Sequence, residues 1–103
     1  YVPGALEIGP AIKLISEAKH NFNGFVALGC VIRGETSHFD IVINESARAI
    51  TNLSLDYSLI IGNGILTVDN KQQAIERSNA DENNKGYHAV LAASKLIDLK
   101  DNI

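Results

Sequence analysis

Apolar residues along this chain recur at two different spacings, and the spacings alternate. Ala11, Leu14, Ile15 and Ala18 follow one another at helical steps and predict a helix over residues 10–19, with Pro10 in its first turn. The polar stretch His20-Asn21-Phe22-Asn23-Gly24 ends it. Phe25–Ile32 is then an unbroken apolar run, rich in residues that fit a pleated sheet, and predicts a strand. Gly34 breaks that run. Val42, Ala49, Ile50 and Leu53 return to helical spacing and predict a long helix over about residues 39–55. A second apolar strand is expected to start over residues 58–61, to be interrupted at Gly62-Asn63-Gly64, and to resume over 65–68. Asp69 or Asn70 can cap a short helix running through Arg77. Residues 78–84 read as a polar loop, and a last helix spans 85–99.

Strands that alternate with helices predict an α/β fold with parallel strands and right-handed crossovers. Two strands are few for a stable sheet, even with a strand end at Tyr1-Val2, so the chain is expected to lack part of its sheet or to borrow it. At 103 residues and 46% hydrophobic content, the chain is sized for a single small domain. A net charge of -3, with Lys and Arg scattered, speaks against a nucleic-acid partner. No apolar run reaches bilayer-spanning length and no charged-then-apolar leader opens the chain. A cytoplasmic setting with no membrane partner is therefore expected. The lone Cys30 cannot form an internal disulfide. The chain has no Met and begins Tyr1-Val2-Pro3-Gly4, which points to a processed or truncated sequence.

Candidate chemistry concentrates in Gly29-Cys30-Val31-Ile32-Arg33-Gly34-Glu35-Thr36-Ser37-His38-Phe39-Asp40. This segment reads as strand, polar loop and helix start, with Ser37 and Asp40 spaced as a capping box. The loop would present backbone N–H groups, hydroxyls and an imidazole at the carboxyl end of a strand. That is where α/β proteins bind ligands, and a helix N-terminus favours an anion such as phosphate. The helix dipole is expected to keep the His38 imidazole neutral, which suits general acid–base work; the plainer alternative is an exposed capping residue. Gly34, Glu35, Thr36 and Ser37 offer donors to a phosphate oxygen, with the Glu35 carboxylate turned to solvent. Arg77 could clamp a phosphate and Lys85 could act as a point charge, or either could be a solvated surface cation. Glu7 could accept hydrogen bonds from a polyol or be an ordinary exposed acid. Gly62-Asn63-Gly64 signals a close backbone approach, to a ligand or another subunit, or else a plain bulge. Cys30 is expected to be a buried small apolar side chain. His20 and His88 have no partners at metal-ligand spacing, so no metal site is predicted. The chain has no Gly-rich nucleotide-binding motif either.

Taken together, Val2-Pro3-Gly4-Ala5-Leu6-Glu7-Ile8, the segment Ala27 to Asp40, Gly64-Ile65-Leu66-Thr67, Gln73-Ala74-Ile75-Glu76-Arg77 and Asn84-Lys85-Gly86 resemble the lumazine synthase family in order and spacing. The likeness covers nearly the whole chain, and the Arg-Gly-x-Thr-x-His-[Phe/Tyr]-Asp core is its most specific part. The resemblance implies a three-layer α/β/α fold with a parallel, flavodoxin-like sheet, residues 1–103 forming the C-terminal two-thirds of a single family domain. It also implies a transferase of riboflavin biosynthesis. That enzyme condenses 5-amino-6-(D-ribitylamino)pyrimidinedione with 3,4-dihydroxy-2-butanone 4-phosphate to give 6,7-dimethyl-8-ribityllumazine, phosphate and water, without a metal or organic cofactor. By the same resemblance His38 is the proton-transfer histidine, and Gly34, Glu35, Thr36 and Arg77 form the phosphate pocket. Ala5, Leu6 and Glu7, with Cys30, Val31 and Ile32, line the pyrimidine and ribityl chain. Lys85 stands near the ribityl and phosphate end. Asn63 falls where a neighbouring subunit contributes to the site, in a homopentamer or a multiple of one.

The resemblance departs at the front. Family members carry a further segment before Val-Pro-Gly-Ala, with a strand, a helix and an aromatic residue that stacks on the pyrimidine, and this sequence does not contain it. Two rival readings follow: a non-catalytic assembly or scaffold chain of the same fold, and a lumazine- or flavin-binding module. A scaffold has no physical need of a histidine at a helix start beside an anion loop, which favours the enzyme.

Overall fold

Helices flank a two-stranded parallel sheet in the computed structural model, which describes residues 1–19, 21–34, 37–79 and 84–103. A 3-10 turn at Ala5–Glu7 leads into α1 (Ile8–Ala18) and β1 (Phe25–Ile32), followed by α2 (His38–Tyr57) and β2 (Ile61–Val68). A short α3 (Lys71–Arg77) and α4 (Lys85–Asp101) complete the order. The ladder runs in register from Phe25 beside Ile61 to Ile32 beside Val68. One further bond extends it at each end: Phe25 N–H donates to Ile60 O (2.8 Å) and Arg33 N–H to Val68 O (2.9 Å). Among the described residues, Tyr1 and Val2 belong to no strand, and no helix is long and apolar enough to cross a membrane.

Strand alternation sorts the core. Ala27 of β1 and Ile61 and Ile65 of β2 pack with Ile8 and Ile12 of α1 and Ile50 and Leu53 of α2, with Phe25 and Val31 half-buried against them. On the opposite face, Gly62 and Gly64 meet α4. A Cβ built on Gly62 would lie 2.0 Å from the Ala89 carbonyl oxygen, and one on Gly64 2.8 Å from Leu28 Cδ2 and 3.1 Å from Ala89 Cβ. Neither glycine has a positive φ. β2 is therefore continuous through Gly62-Asn63-Gly64, contrary to the expected interruption. The glycines serve to remove side-chain volume, and the close approach they allow is to the protein's own helix.

The starts of the second strand and of α1 differ from expectation for local reasons. The second strand begins at Ile61 because Ser58 ends α2 in the left-handed region (φ 55°, ψ 35°), a role glycine usually fills. α1 starts at Ile8, so the stripe it buries is Ile8, Gly9 and Ile12. Gly9 lets it approach Ala49 of α2, whose Cβ would lie 2.9 Å from a Cβ at Gly9. The expected face is not the buried one: Leu14 is 69% exposed, and Ala11 and Ile15 border an apolar groove of about 660 Å³ along β1. Of the two offered caps for α3, Asn70 is used, its Oδ1 accepting from Gln73 N–H at 2.9 Å.

Candidate functional site

Both strands end on the same side of the molecule, and the loop leaving β1 carries Gly34, Glu35 and Thr36 and leads to His38. Gly34 stands in the open, with nothing within 4 Å of where a Cβ would be. Glu35 and Thr36, the centre of the expected phosphate loop, lie outside the described residues, as does His20. Ser37 precedes α2 but does not cap it through its side chain. Its φ and ψ of -73° and -1° are already helical, so the hydroxyl is not swung toward the following N–H groups as in the expected capping box. The turn closes instead through the backbone, Asp40 N–H donating to Ser37 O at 3.1 Å.

His38 is the first residue of α2 and is exposed. It shares a cleft of about 220 Å³ with Pro3, Gly4, Ala5, Leu6, Glu7 and Val42. The tight N-terminal turn builds the opposite wall: Glu7 N–H donates to Gly4 O at 3.1 Å, and the Glu7 carboxylate folds back toward Gly4, Oε2 lying 3.4 Å from where a Cβ on that glycine would be. Residues more than thirty positions apart in sequence, Ala5-Leu6-Glu7 and His38, thus face one space.

The remaining candidates are distributed more widely. Val31 points into the core side of β1 while Cys30 and Ile32 lie exposed on its other side, so the three side chains cannot converge; they share only the backbone at the strand's carboxyl half. Cys30 is exposed rather than buried, because it lies on a side of β1 left open at Leu28 (62% exposed) and Ile32. Arg77 closes α3 and turns back to the end of β2, with Nη1 donating to Thr67 O at 3.5 Å. Lys85 opens α4 and is exposed; its neighbour Gly86 lies beside Leu28 of β1. Asn63 lies opposite Ala27, five residues before the carboxyl end of β2, roughly 17 Å away at the rise of a parallel strand. It is not at the His38 end of the sheet, and its Oδ1 accepts from Ile65 N–H at 3.0 Å.

Sequence reasoning assigns no site role to Arg33, Asp69 or Gln73, offering Asp69 only as a helix cap, yet they link the two loops. Arg33 Nε donates to Asp69 Oδ1 at 3.0 Å, and its guanidinium lies 4.4 Å from the centroid of the Phe39 ring. Asp69 N–H in turn donates to Gln73 Oε1 at 2.8 Å. A cation directly after a strand end was the available signal, but its partner is thirty-six residues away. Asn84 was likewise legible only as part of a motif. Its Oδ1 accepts from Tyr87 N–H (2.9 Å), and its Nδ2 donates to Ser78 O (3.1 Å) and Asn79 O (2.9 Å). Two further cations pair with carboxylates elsewhere. Lys13 donates to the Glu17 carboxylate and Arg48 to that of Glu45, and these hydrogen bonds raise both cations above their ordinary ranges, on α1 and α2 away from the cleft.

Parallel strands flanked by helices, the first strand followed by a helix that opens with histidine, define an α/β protein, a class that binds its ligands at the carboxyl ends of the strands. The sequence profile of 6,7-dimethyl-8-ribityllumazine synthase matches residues 1–101, and the chain belongs to that family. It is 56% identical over 99 residues to the 6,7-dimethyl-8-ribityllumazine synthase of Bartonella tribocorum, covering 96% of this chain and 66% of that protein. It is 53% identical over 106 residues to 6,7-dimethyl-8-ribityllumazine synthase 1 of Rhizobium meliloti (99% and 69%), and 53% identical over 102 residues to the enzyme of Zymomonas mobilis (99% and 72%). The chain spans about two thirds of the length of the curated relatives it matches.

Proposed function

We propose that the protein carries out the lumazine synthase reaction of riboflavin biosynthesis: condensation of 5-amino-6-(D-ribitylamino)pyrimidinedione with 3,4-dihydroxy-2-butanone 4-phosphate to 6,7-dimethyl-8-ribityllumazine, phosphate and water. The observation that carries the reading is the common cleft of His38 with Ala5, Leu6 and Glu7, in a chain of this family. Imine formation and loss of phosphate both need protons moved near neutral pH, and imidazole is the side chain suited to that task. In this reading His38 moves them, and Gly34, Glu35, Thr36 and Arg77 hold the phosphate. Ala5, Leu6, Glu7, Cys30, Val31 and Ile32 hold the pyrimidine and its ribityl chain, with Lys85 at the phosphate end. Holding two substrates together in one cleft supplies much of the acceleration.

The same reading makes residues 1–103 part of a single domain whose sheet is of the flavodoxin type, layered between helices, in a cytoplasmic homopentamer or a multiple of one. Asn63, far from His38 along its own strand, then serves a neighbouring subunit's site. Exposed apolar side chains such as Leu28, Leu55 and Leu99 support association.

The test is lumazine formation followed by absorbance, in the protein at its natural length. His38→Ala should lower kcat by about a hundredfold, the low end for general acid–base catalysis, with little change in either KM. Arg77→Ala should raise KM for the butanone phosphate alone. An unchanged kcat in His38→Ala would remove the acid–base role, and wild type without turnover would remove the condensation reading.

A further inference from the structure

We propose that Arg33 and Asp69 form a positioning pair that sets Arg77 relative to His38, and so tunes affinity for the phosphorylated substrate; this deepens the condensation reading and rests on it. The two residues stand immediately past the paired ends of β1 and β2, where Arg33 N–H also donates to Val68 O (2.9 Å). Arg33 faces two ways. Its Nε donates to Asp69 Oδ1 (3.0 Å), while its guanidinium lies 4.4 Å from the ring centroid of Phe39, the buried neighbour of His38 at the start of α2. Asp69 carries the link onward, because its N–H donates to Gln73 Oε1 (2.8 Å), and Gln73 N–H donates to the Asn70 cap (2.9 Å). These bonds orient α3, whose last residue is Arg77. A continuous chain of contacts therefore runs from the helix that bears His38 to the helix that bears Arg77.

Exposure separates this role from plain stabilisation. The two side chains are 51% and 63% exposed, and an ion pair so wet contributes little to folding. Its consequence is geometric: without it, α3 keeps its cap but loses its tie to α2, and Arg77 loses its defined distance from His38. A phosphate held slightly out of place costs far more in turnover than in stability.

The experiment compares wild type, Arg33→Lys, Arg33→Ala, Asp69→Asn and the Arg33→Ala/Asp69→Asn double variant at natural length. Asp69→Asn is the main test, since it removes a charge from an exposed group without opening the core. It should raise KM for the butanone phosphate about tenfold, leave KM for the pyrimidine unchanged, and keep the thermal midpoint within a few degrees. The double variant should be no worse than the worse single, the signature of two residues acting as one unit, and Arg33→Lys should retain part of the affinity. Inorganic phosphate binding by calorimetry should weaken in parallel. Unchanged KM and phosphate binding in Asp69→Asn, or additive losses in the double variant, would overturn the proposal. Phosphate binding that weakens in Asp69→Asn, in a protein that makes no lumazine, would support the positioning pair and remove the condensation reading alone.

Discussion

Alanine at Gly62 is the sharpest perturbation of this fold. The added Cβ would lie 2.0 Å from the Ala89 carbonyl oxygen and 2.8 Å from its carbon, about an ångström short of any approach such atoms tolerate. The obstacle is helix backbone, so no rotamer change relieves it, and α4 must lift away from β2 along a buried contact. Overpacking of this kind costs about 1–3 kcal/mol, with the upper part of that range expected where backbone is the obstacle. Alanine's smaller unfolded-state freedom returns about 0.4–1 kcal/mol. A net loss of about 2 kcal/mol lowers the melting temperature by roughly 8–16 °C in a domain of this size. Circular dichroism at fixed protein concentration reads it, with two controls. Gly64→Ala meets first the flexible end of Leu28 and should lose less; Gly34→Ala meets nothing and should melt at or slightly above wild type. Ala89→Gly should not rescue Gly62→Ala, because the clash is with the Ala89 backbone. A Gly62→Ala protein that melts as high as wild type would refute the packing account of these glycines.

Two further substitutions test the helix ends. Asn84→Ala removes both the cap of α4 and the amide donors to Ser78 and Asn79; it should cost about 1–2 kcal/mol by thermal denaturation, with Asn84→Asp losing less because it keeps the capping acceptor. An alanine variant with wild-type stability would show that the cap is redundant. Ser58→Gly should gain about 0.5–1 kcal/mol, since glycine occupies the left-handed region without the Cβ penalty, and a fall in melting temperature would contradict the observed φ of 55°.

What could be read from the sequence was what local chemistry decides alone. β1 falls at Phe25–Ile32 as its apolar run requires, and α4 starts at Lys85 directly after a residue with a capping side chain. Gly62-Asn63-Gly64 was ambiguous because a glycine in a strand means either a break or an approach, and only the placement of Ala89 decides between them. The stripe on α1 was misjudged for a related reason. Leu14 and Ile15 are apolar at helical spacing, but the neighbours that bury the helix lie along Ile8, Gly9 and Ile12. Cys30 followed the rule for its residue type until its side of β1 proved open. At the site, His38 could be placed at a helix start from its own neighbours. Its cleft with Ala5-Leu6-Glu7 and the Arg33–Asp69 link could not, since both join distant segments.

The uniform offset of the β1–β2 ladder bears on how the chain folds. Every pair, like Arg33 and Asp69, joins residues thirty-six positions apart, and the 20-residue α2 occupies most of the span between them. No ladder hydrogen bond can form before that whole loop is closed, and closing it makes pairing slow unless α2 has already shortened the path. A formed α2 is about 30 Å long, close to the length of the strands it connects, so it returns the chain to the start of β2 almost in register. Rate-limiting structure should therefore involve Ile50 and Leu53 of α2 docking on Ala27 and Ile65. Substitutions in that stripe would slow folding, whereas loss of the Arg33–Asp69 tie would be felt only by the finished molecule.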